Sequence, residues 1–309
     1  MPTYLVRHVT TYRYAAPVAF GEHRLMLHPR EGRDQRTRSV GIDISPRPTE
    51  ADWCEDPSGN LVGHVRFLSA ARDLRIEAHL EVDVEAADFD PVVLADHSRR
   101  VPFVYGAEEL PDLARFIERQ HRDPGGTLQR WAEAVLHEDP ARDSVGLLRR
   151  MSARIRAEFT YRRRLEKGTQ EPCRTLKLRS GSCRDFAVLM AEAVRSLGFG
   201  ARFASGYLHV PVDDPAVASI GGHTHAWLQV YLPRVGWLDV DPSSGTLGNR
   251  GLIRVALVRD PEQASPVTGS YFGAADDFID MSVGVTVSER QHHHGRSTRD
   301  EMREAAAAA

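Results

Sequence analysis

Cysteine is scarce: Cys54, Cys173 and Cys183 are the only three in 309 residues. Their number and scatter exclude a disulfide framework and a zinc site built mainly of thiolates, and reduced thiols are the simplest state. Long apolar runs are also missing. No stretch approaches the roughly 18 residues of a membrane span, and Met1–Tyr14 lacks the apolar centre of a signal peptide, so no membrane partner and a cytoplasmic location are expected. Nor is there an excess of one charge. A net charge of -3 gives no pointer to nucleic acid, and the locally basic stretch Arg149–Arg184, densest at Arg162-Arg163-Arg164, reads as a solvated face, with an anion-attracting cleft rim as the alternative.

What remains is an ordinary globular composition, 41% hydrophobic and 27% charged, long enough for two domains. Period-two segments at Leu5–Tyr14, Glu22–Leu27, Val40–Ile44, Leu61–Phe67 and Leu74–Val84 alternate with turn residues such as Pro46-Arg47-Pro48 and Asp56–Asn60. That spacing predicts an all-β sandwich or open barrel over residues 1–90, with Cys54 as a strand residue. Beyond Asp88-Phe89-Asp90-Pro91 the period becomes helical, at Leu110–Gln120, Leu128–Leu136 and Ser144–Phe159. Strands return at Arg202–His209, Thr224–Leu232, Trp237–Val240, Ile253–Val258 and Ile279–Val287, with a turn at Pro211–Pro215. Helices followed by an antiparallel sheet indicate an α+β domain over 91–288, and residues 289–309, with His292-His293-His294 and the closing alanines, read as a disordered tail.

One stretch carries chemistry. Phe186, Leu189, Met190, Ala193, Val194 and Leu197 recur at helical spacing, Gly198 supplies a stop, and Ser182 is a candidate cap. Cys183 then falls in the first turn, where unpaired N–H groups and the helix dipole favour a thiolate. It is a candidate nucleophile, with its own N–H as one oxyanion donor and Tyr161 as a candidate second donor. Asp185, also in the first turn, suits the dipole without any further role.

A base and its orienter are sought in the Thr224–Leu232 hairpin. Ala226, Leu228, Val230 and Leu232 form the apolar core face, and His225, Trp227, Gln229 and Tyr231 the other, which is expected to look towards the Cys183 helix. A loop from Leu232 to Gly236 pairs Tyr231 with Trp237 and sets Asp241 opposite Trp227, one diagonal from His225 and within reach of it. A one-residue slip would separate them. Trp227, Tyr207 and Trp237 are candidates to line a substrate groove, with packing on the sheet as the alternative.

The successive blocks Gly181-Ser182-Cys183-Arg184-Asp185-Phe186-Ala187, Ala201–Leu208, His225-Ala226-Trp227 and Gly236–Ser243 resemble, in order, those of the bacterial transglutaminase-like superfamily. Tyr4–His8, Tyr12–Tyr14, Pro17 and Leu25–Pro29 resemble the β domain that precedes this core in bacterial members. The resemblance implies a papain-like core, α+β with helices packed on an antiparallel sheet. It implies a triad of Cys183, His225 and Asp241, and it selects Asp241 over Asp239 through the Trp-x-x-x-Asp-Pro position. Members include proteases, amidases and cross-linking enzymes. Two departures stand out: Arg184 replaces a glutamine found in many relatives, with consequences for substrate charge, and Asp241-Pro242-Ser243 replaces Asp-Pro-Thr.

The expectation is therefore a cysteine enzyme without cofactor, acting on peptide or protein amides through a thioester, with hydrolysis favoured over amine transfer. Two other classes fit some residues. His223 and His225, on one strand face with Asp239 or Asp241, could hold a metal, and the groove could serve a non-catalytic peptide-binding module.

Overall fold

The computed structural model describes residues 1–85, 87–88, 94–164, 166–210 and 224–290. The chain opens with β1 (Thr3–Phe20), β2 (His23–Leu25), β3 (Gln35–Ser45), β4 (Glu50–Glu55), β5 (Leu61–Arg66), β6 (Ala71–Val84) and the short β7 (Ala87–Asp88). Helices α1 (Leu110–Ile117), α2 (Thr127–His137) and α3 (Ser144–Glu158) follow, then β8 (Thr160–Tyr161), α4 (Pro172–Leu178), β9 (Ser180–Gly181) and α5 (Cys183–Ser196). The rest is strand: β10 (Ala201–Leu208), β11 (His225–Leu232), β12 (Gly236–Asp241), β13 (Thr246–Asn249), β14 (Leu252–Val258), β15 (Val267–Thr268), β16 (Tyr271–Phe272) and β17 (Phe278–Glu289). Among the described residues no helix is long and apolar enough to cross a membrane.

The first unit pairs two antiparallel sheets, β16-β1-β6-β3 with β17 also on β1, and β15-β2-β5-β4. Alternation along β1 and β6 buries Tyr4, Val6, Leu74, Ile76, Leu80 and Val82 in one apolar cluster with Leu25, Met26, Val62 and Val65 of the other sheet. The second unit is a six-stranded sheet, β14-β10-β11-β12-β13-β7, covered by helices. Its core joins Leu189, Met190 and Ala193 of α5 to Leu228, Val230 and Leu232 of β11, with Leu147, Leu148 and Met151 of α3.

Three differences from expectation follow from tertiary pairing. Strand β17, expected in the second sheet, pairs instead along β1 from Tyr4↔Glu289 to Tyr14↔Phe278. An 18-residue β1 leaves an edge that no neighbouring sequence covers, and period-two alternation does not name a strand's partner. The β unit is therefore built from both ends of the chain. Helix α4 lies inside a segment read as loop, with Pro172 at its first turn. Finally, α5 covers the apolar face of β11 and not the face of His225, because the helix body seeks the larger apolar area. Glu289 and Arg290, expected in the tail, instead continue the pairing with β1, while Phe89, Asp90 and Pro91, the turn at Pro211–Pro215 and the tail from Gln291 lie outside the described residues.

The two units are joined by buried polar side chains. The open edge of β14 is satisfied by amides of the β unit: Gln35 accepts from the Arg254 N–H and donates to its carbonyl, both at 2.8 Å, and Asn60 does the same for Leu257 at 2.9 and 3.0 Å. His8 of β1 meets the Tyr207 hydroxyl of β10 at 2.9 Å and Thr10 at 3.0 Å. Burial lowers the His8 pKa from 6.5 to about 4. The folded state thus binds this proton later than the unfolded chain, so the contribution is complete above pH 6.5 and declines as pH falls towards 4. Between pH 7 and 5 the protein is expected to lose about 2 kcal/mol more stability than a His8→Gln variant. Denaturant melts at both pH values measure the difference, and parallel losses would refute it.

Candidate active site

Helix α5 delivers Cys183 as its first residue, where the N–H groups have no carbonyl one turn back. The turn before it is locked by Asp185. This carboxylate, wholly buried, accepts from the Ser182 N–H and Oγ at 2.8 Å each, from the Gln170 N–H at 2.7 Å and from Arg164 Nη1 at 2.7 Å. It fixes both the helix start and the 162–170 loop. Gly181 is required by the same packing, since a Cβ there would stand 2.9 Å from that of Asp185.

The β11–β12 hairpin delivers the partners in the register read from its loop: Tyr231 lies opposite Trp237 and Leu228 opposite Val240, so Asp241 falls beside Trp227 and diagonal to His225. His225 Nε2 donates to Asp241 Oδ2 at 2.9 Å. The remaining Asp241 oxygen accepts from the Ser243 N–H and hydroxyl, at 2.9 and 2.5 Å, and Ser244 Oγ donates to Oδ2 at 2.7 Å. Trp227 stacks on the imidazole with ring centroids 5.9 Å apart and planes 20° apart. Asp239 holds that indole through its N–H at 2.7 Å and also accepts from Gln229 and Arg254 at 2.8 Å. The two aspartates are thus divided: one orients the imidazole, the other braces the ring stacked on it.

The second imidazole nitrogen, Nδ1, is buried without a hydrogen-bond partner, and Cys183 is near enough to act on the imidazole. Because α5 covers the opposite face of β11, the meeting depends on position along the elements. Cys183 is the first residue of the helix and His225 the first of the strand. Burial raises the thiol pKa, but the His225 hydrogen bond and charge and the Ala226 N–H lower it by more, so the net shift is downward from 9.0. Burial lowers the imidazole pKa, and Asp241 and the thiol overcome this and raise it from 6.5. Asp241 is pushed up by burial and down by His225 and the two serines, ending at about 2. These directions favour a thiolate–imidazolium pair beside an ionised carboxylate. The Tyr161 phenol stands close to Cys183, and burial and the thiol charge raise its pKa, keeping it protonated.

A cavity of about 370 Å³ opens onto Cys183 and His225. One wall comes from Tyr161, Arg163, Arg164, Lys167 and Arg184, the other from Phe203, Pro261, Glu262, Ala264, Pro266, Met281 and Val283. Tyr161 and Arg184 therefore lie where a substrate would, whereas Trp227 and Tyr207 are fully buried and do not line the cavity. Trp237 lies under the Arg202 guanidinium at 4.0 Å, also away from it. His223 lies outside the described residues, and among those described no group of three or more His, Cys, Asp and Glu could hold a metal.

Residues 4–83 match the bacterial transglutaminase-like N-terminal region and residues 129–242 the transglutaminase-like superfamily. An uncharacterized protein of Mycobacterium tuberculosis is 30% identical over 302 residues, which is 94% of this chain and 95% of its own length. The chain belongs to the transglutaminase-like superfamily. A protein-glutamine gamma-glutamyltransferase of Pseudomonas aeruginosa is 38% identical over 68 residues, 21% of this chain and 10% of that protein. The fold is shared with a "Putative Cysteine Protease" from Cytophaga hutchinsonii, at TM-score 0.70 and 18% identity over 94% of this chain and 91% of that one.

Several contributors to this transglutaminase-like site escaped the sequence reading. The helix dipole is enough to account for Asp185 in the sequence, yet its position three residues after Ser182 is a capping-box signature that signals the contact with the Ser182 N–H. Ser243 and Ser244 follow Asp241 closely enough for a side chain to backbone turn. The cavity wall supplied by Met281 and Val283 had no local signal, because it depends on where β17 pairs.

Proposed function

We propose that the chain is a cysteine enzyme that cleaves peptide or isopeptide amides of a peptide or protein substrate. The observation that carries this reading is the buried His225 imidazole, held by Asp241 on Nε2 with Nδ1 unpartnered, lining one open cavity together with Cys183. The Cys183 thiolate attacks the carbonyl carbon, and negative charge gathers on its oxygen near the Cys183 N–H and the Tyr161 hydroxyl. The C–N bond breaks as the His225 imidazolium gives its proton to the leaving amine, and a thioester remains. Water then attacks the thioester, with His225 taking the water's proton and the sulfur leaving as thiolate. A primary amine in place of water would give transfer. Hydrolysis is favoured because water needs no site of its own.

The test is a library of glutamine-containing and isopeptide-linked peptides, offered with and without a primary amine to native protein and to protein alkylated at Cys183. Free carboxyl formation or ammonia release without amine incorporation is the expected result. Amine incorporation in excess would assign transfer, and equal rates before and after alkylation would refute the thiol mechanism.

A further inference from the structure

The cavity is electrostatically lopsided. Its lining carries Arg163, Arg164, Lys167 and Arg184 against one carboxylate, Glu262, from the opposite wall. The four cations are not equivalent. Arg164 is committed to Asp185 at 2.7 Å and lies 3.5 Å from Glu166, which does not line the cavity. Arg184 donates to the carbonyls of Arg164 and Glu166, so its guanidinium is fixed against the loop by groups that do not neutralise it. Arg163 and Lys167 are exposed and make no ion pair among the described residues. Arg163 is close enough to act on the Tyr161 phenol, which lines the same cavity as Cys183.

Geometry also sets how near these charges stand to the reacting atoms. Asp185 accepts from Gln170 at one end of the 162–170 loop and from Arg164 near the other. The same carboxylate caps the turn that presents Cys183, so loop and nucleophile are held by one group. The facing wall, with Phe203, Ala264, Pro266, Met281 and Val283, is mostly apolar and lowers the local dielectric, which lengthens the reach of the cations. An amide entering the cavity therefore lies between an apolar wall and a basic rim.

We propose that this cleft selects acyl donors bearing a carboxylate next to the scissile amide, with Arg163 and Lys167 receiving that carboxylate. The proposal rests on the amidase reading for its substrate but not for its test. Arg163 and Lys167 are specificity residues. They bind a group that does not react, and Glu262 disfavours a carboxylate placed on the other side of the cleft.

Two alkylating probes of similar size, iodoacetate and iodoacetamide, differ in charge and react at the same sulfur. Their rate ratio at Cys183 reports the potential in the cleft whether or not a substrate is known. In a double Arg163→Glu, Lys167→Glu variant the iodoacetate to iodoacetamide ratio is expected to fall at least about fivefold, while Arg162→Glu, a neighbouring reversal of half that charge outside the lining, keeps the native ratio. Raising the salt is expected to lower the native ratio towards that of the double variant. An unchanged ratio in the double variant, or an equal fall in Arg162→Glu, overturns the proposal. With peptides matched except for Glu, Gln or Lys beside the scissile residue, native protein is expected to prefer Glu in kcat/KM and the double variant Lys. Turnover without that preference overturns carboxylate selection and leaves the amidase reading standing. A ratio that moves as expected with no turnover of any peptide supports the anion site and overturns the amidase reading.

Discussion

Cys183→Ala and His225→Gln are each expected to reduce peptide turnover by at least about three orders of magnitude. The first removes the sulfur that forms the thioester. The second leaves the sulfur but takes away the group that lowers its pKa, so the thiol keeps the desolvation penalty of a buried site and loses its compensation. In native protein the thiol is shifted down from 9.0 and the imidazole up from 6.5, and the productive ion pair exists between the two shifted values. Activity is expected to rise with pH through the thiol ionisation and to fall as the imidazolium loses its proton. Iodoacetamide reactivity of Cys183 follows the acid limb alone. In His225→Gln that limb moves to higher pH, and reaction at pH 7 slows by roughly tenfold or more. Turnover near native in either variant, or an unmoved alkylation profile in His225→Gln, would remove His225 from the mechanism.

Much of this geometry was legible from residues because it is local. The spacing of Phe186, Leu189, Met190 and Ala193 defines α5 without reference to the rest of the chain, and Gly198, at a φ of 92°, ends it. The pairing of Tyr231 with Trp237 follows from the length of the intervening loop, and once it is set the alternation of side chains carries Asp241 to the diagonal of His225. What was not legible is set by partners distant in sequence. Gln229 and Trp227 suggest a solvent or substrate face by composition. Both are buried because Asp239 accepts from Trp227 and Gln229 and Arg202 donates to the Gln229 side-chain carbonyl, while Arg254 pairs with Asp239 and is tied in turn to Asp34 in the first unit. Tyr207 reads as a groove residue until His8 of β1 is placed against its hydroxyl. In each case a buried polar group is tolerated only because another element supplies the hydrogen bond, and sequence alone does not say which element that is.

Asp185→Ala is expected to be the most destabilising single substitution in the second unit, at about 3–5 kcal/mol, because it leaves Arg164 and the Ser182 and Gln170 N–H groups without their acceptor. For a chain of this size that amounts to a fall in Tm on the order of 10 °C. Asp185→Asn separates charge from shape. Its volume is unchanged, yet Oδ1 and Oδ2 both receive N–H donors here, so an amide nitrogen at either position would face a donor and lose an acceptor. A role of simple space filling, or of complementing the helix dipole, would make Asn milder than Ala by most of the loss, since exposed dipole effects are worth about 0.3–1 kcal/mol. The hydrogen-bond assignment instead predicts that Asn recovers little. Cys183 reports the functional half of the argument. Its thiolate depends on the N–H groups of the turn that Asp185 holds and on the orientation of that turn towards His225, so the alkylation midpoint is expected to rise in both variants at temperatures where they remain folded. Loss of stability with an unmoved midpoint would confine Asp185 to holding the 162–170 loop. Loss of both ties the nucleophile and the basic rim of the cleft to one buried carboxylate.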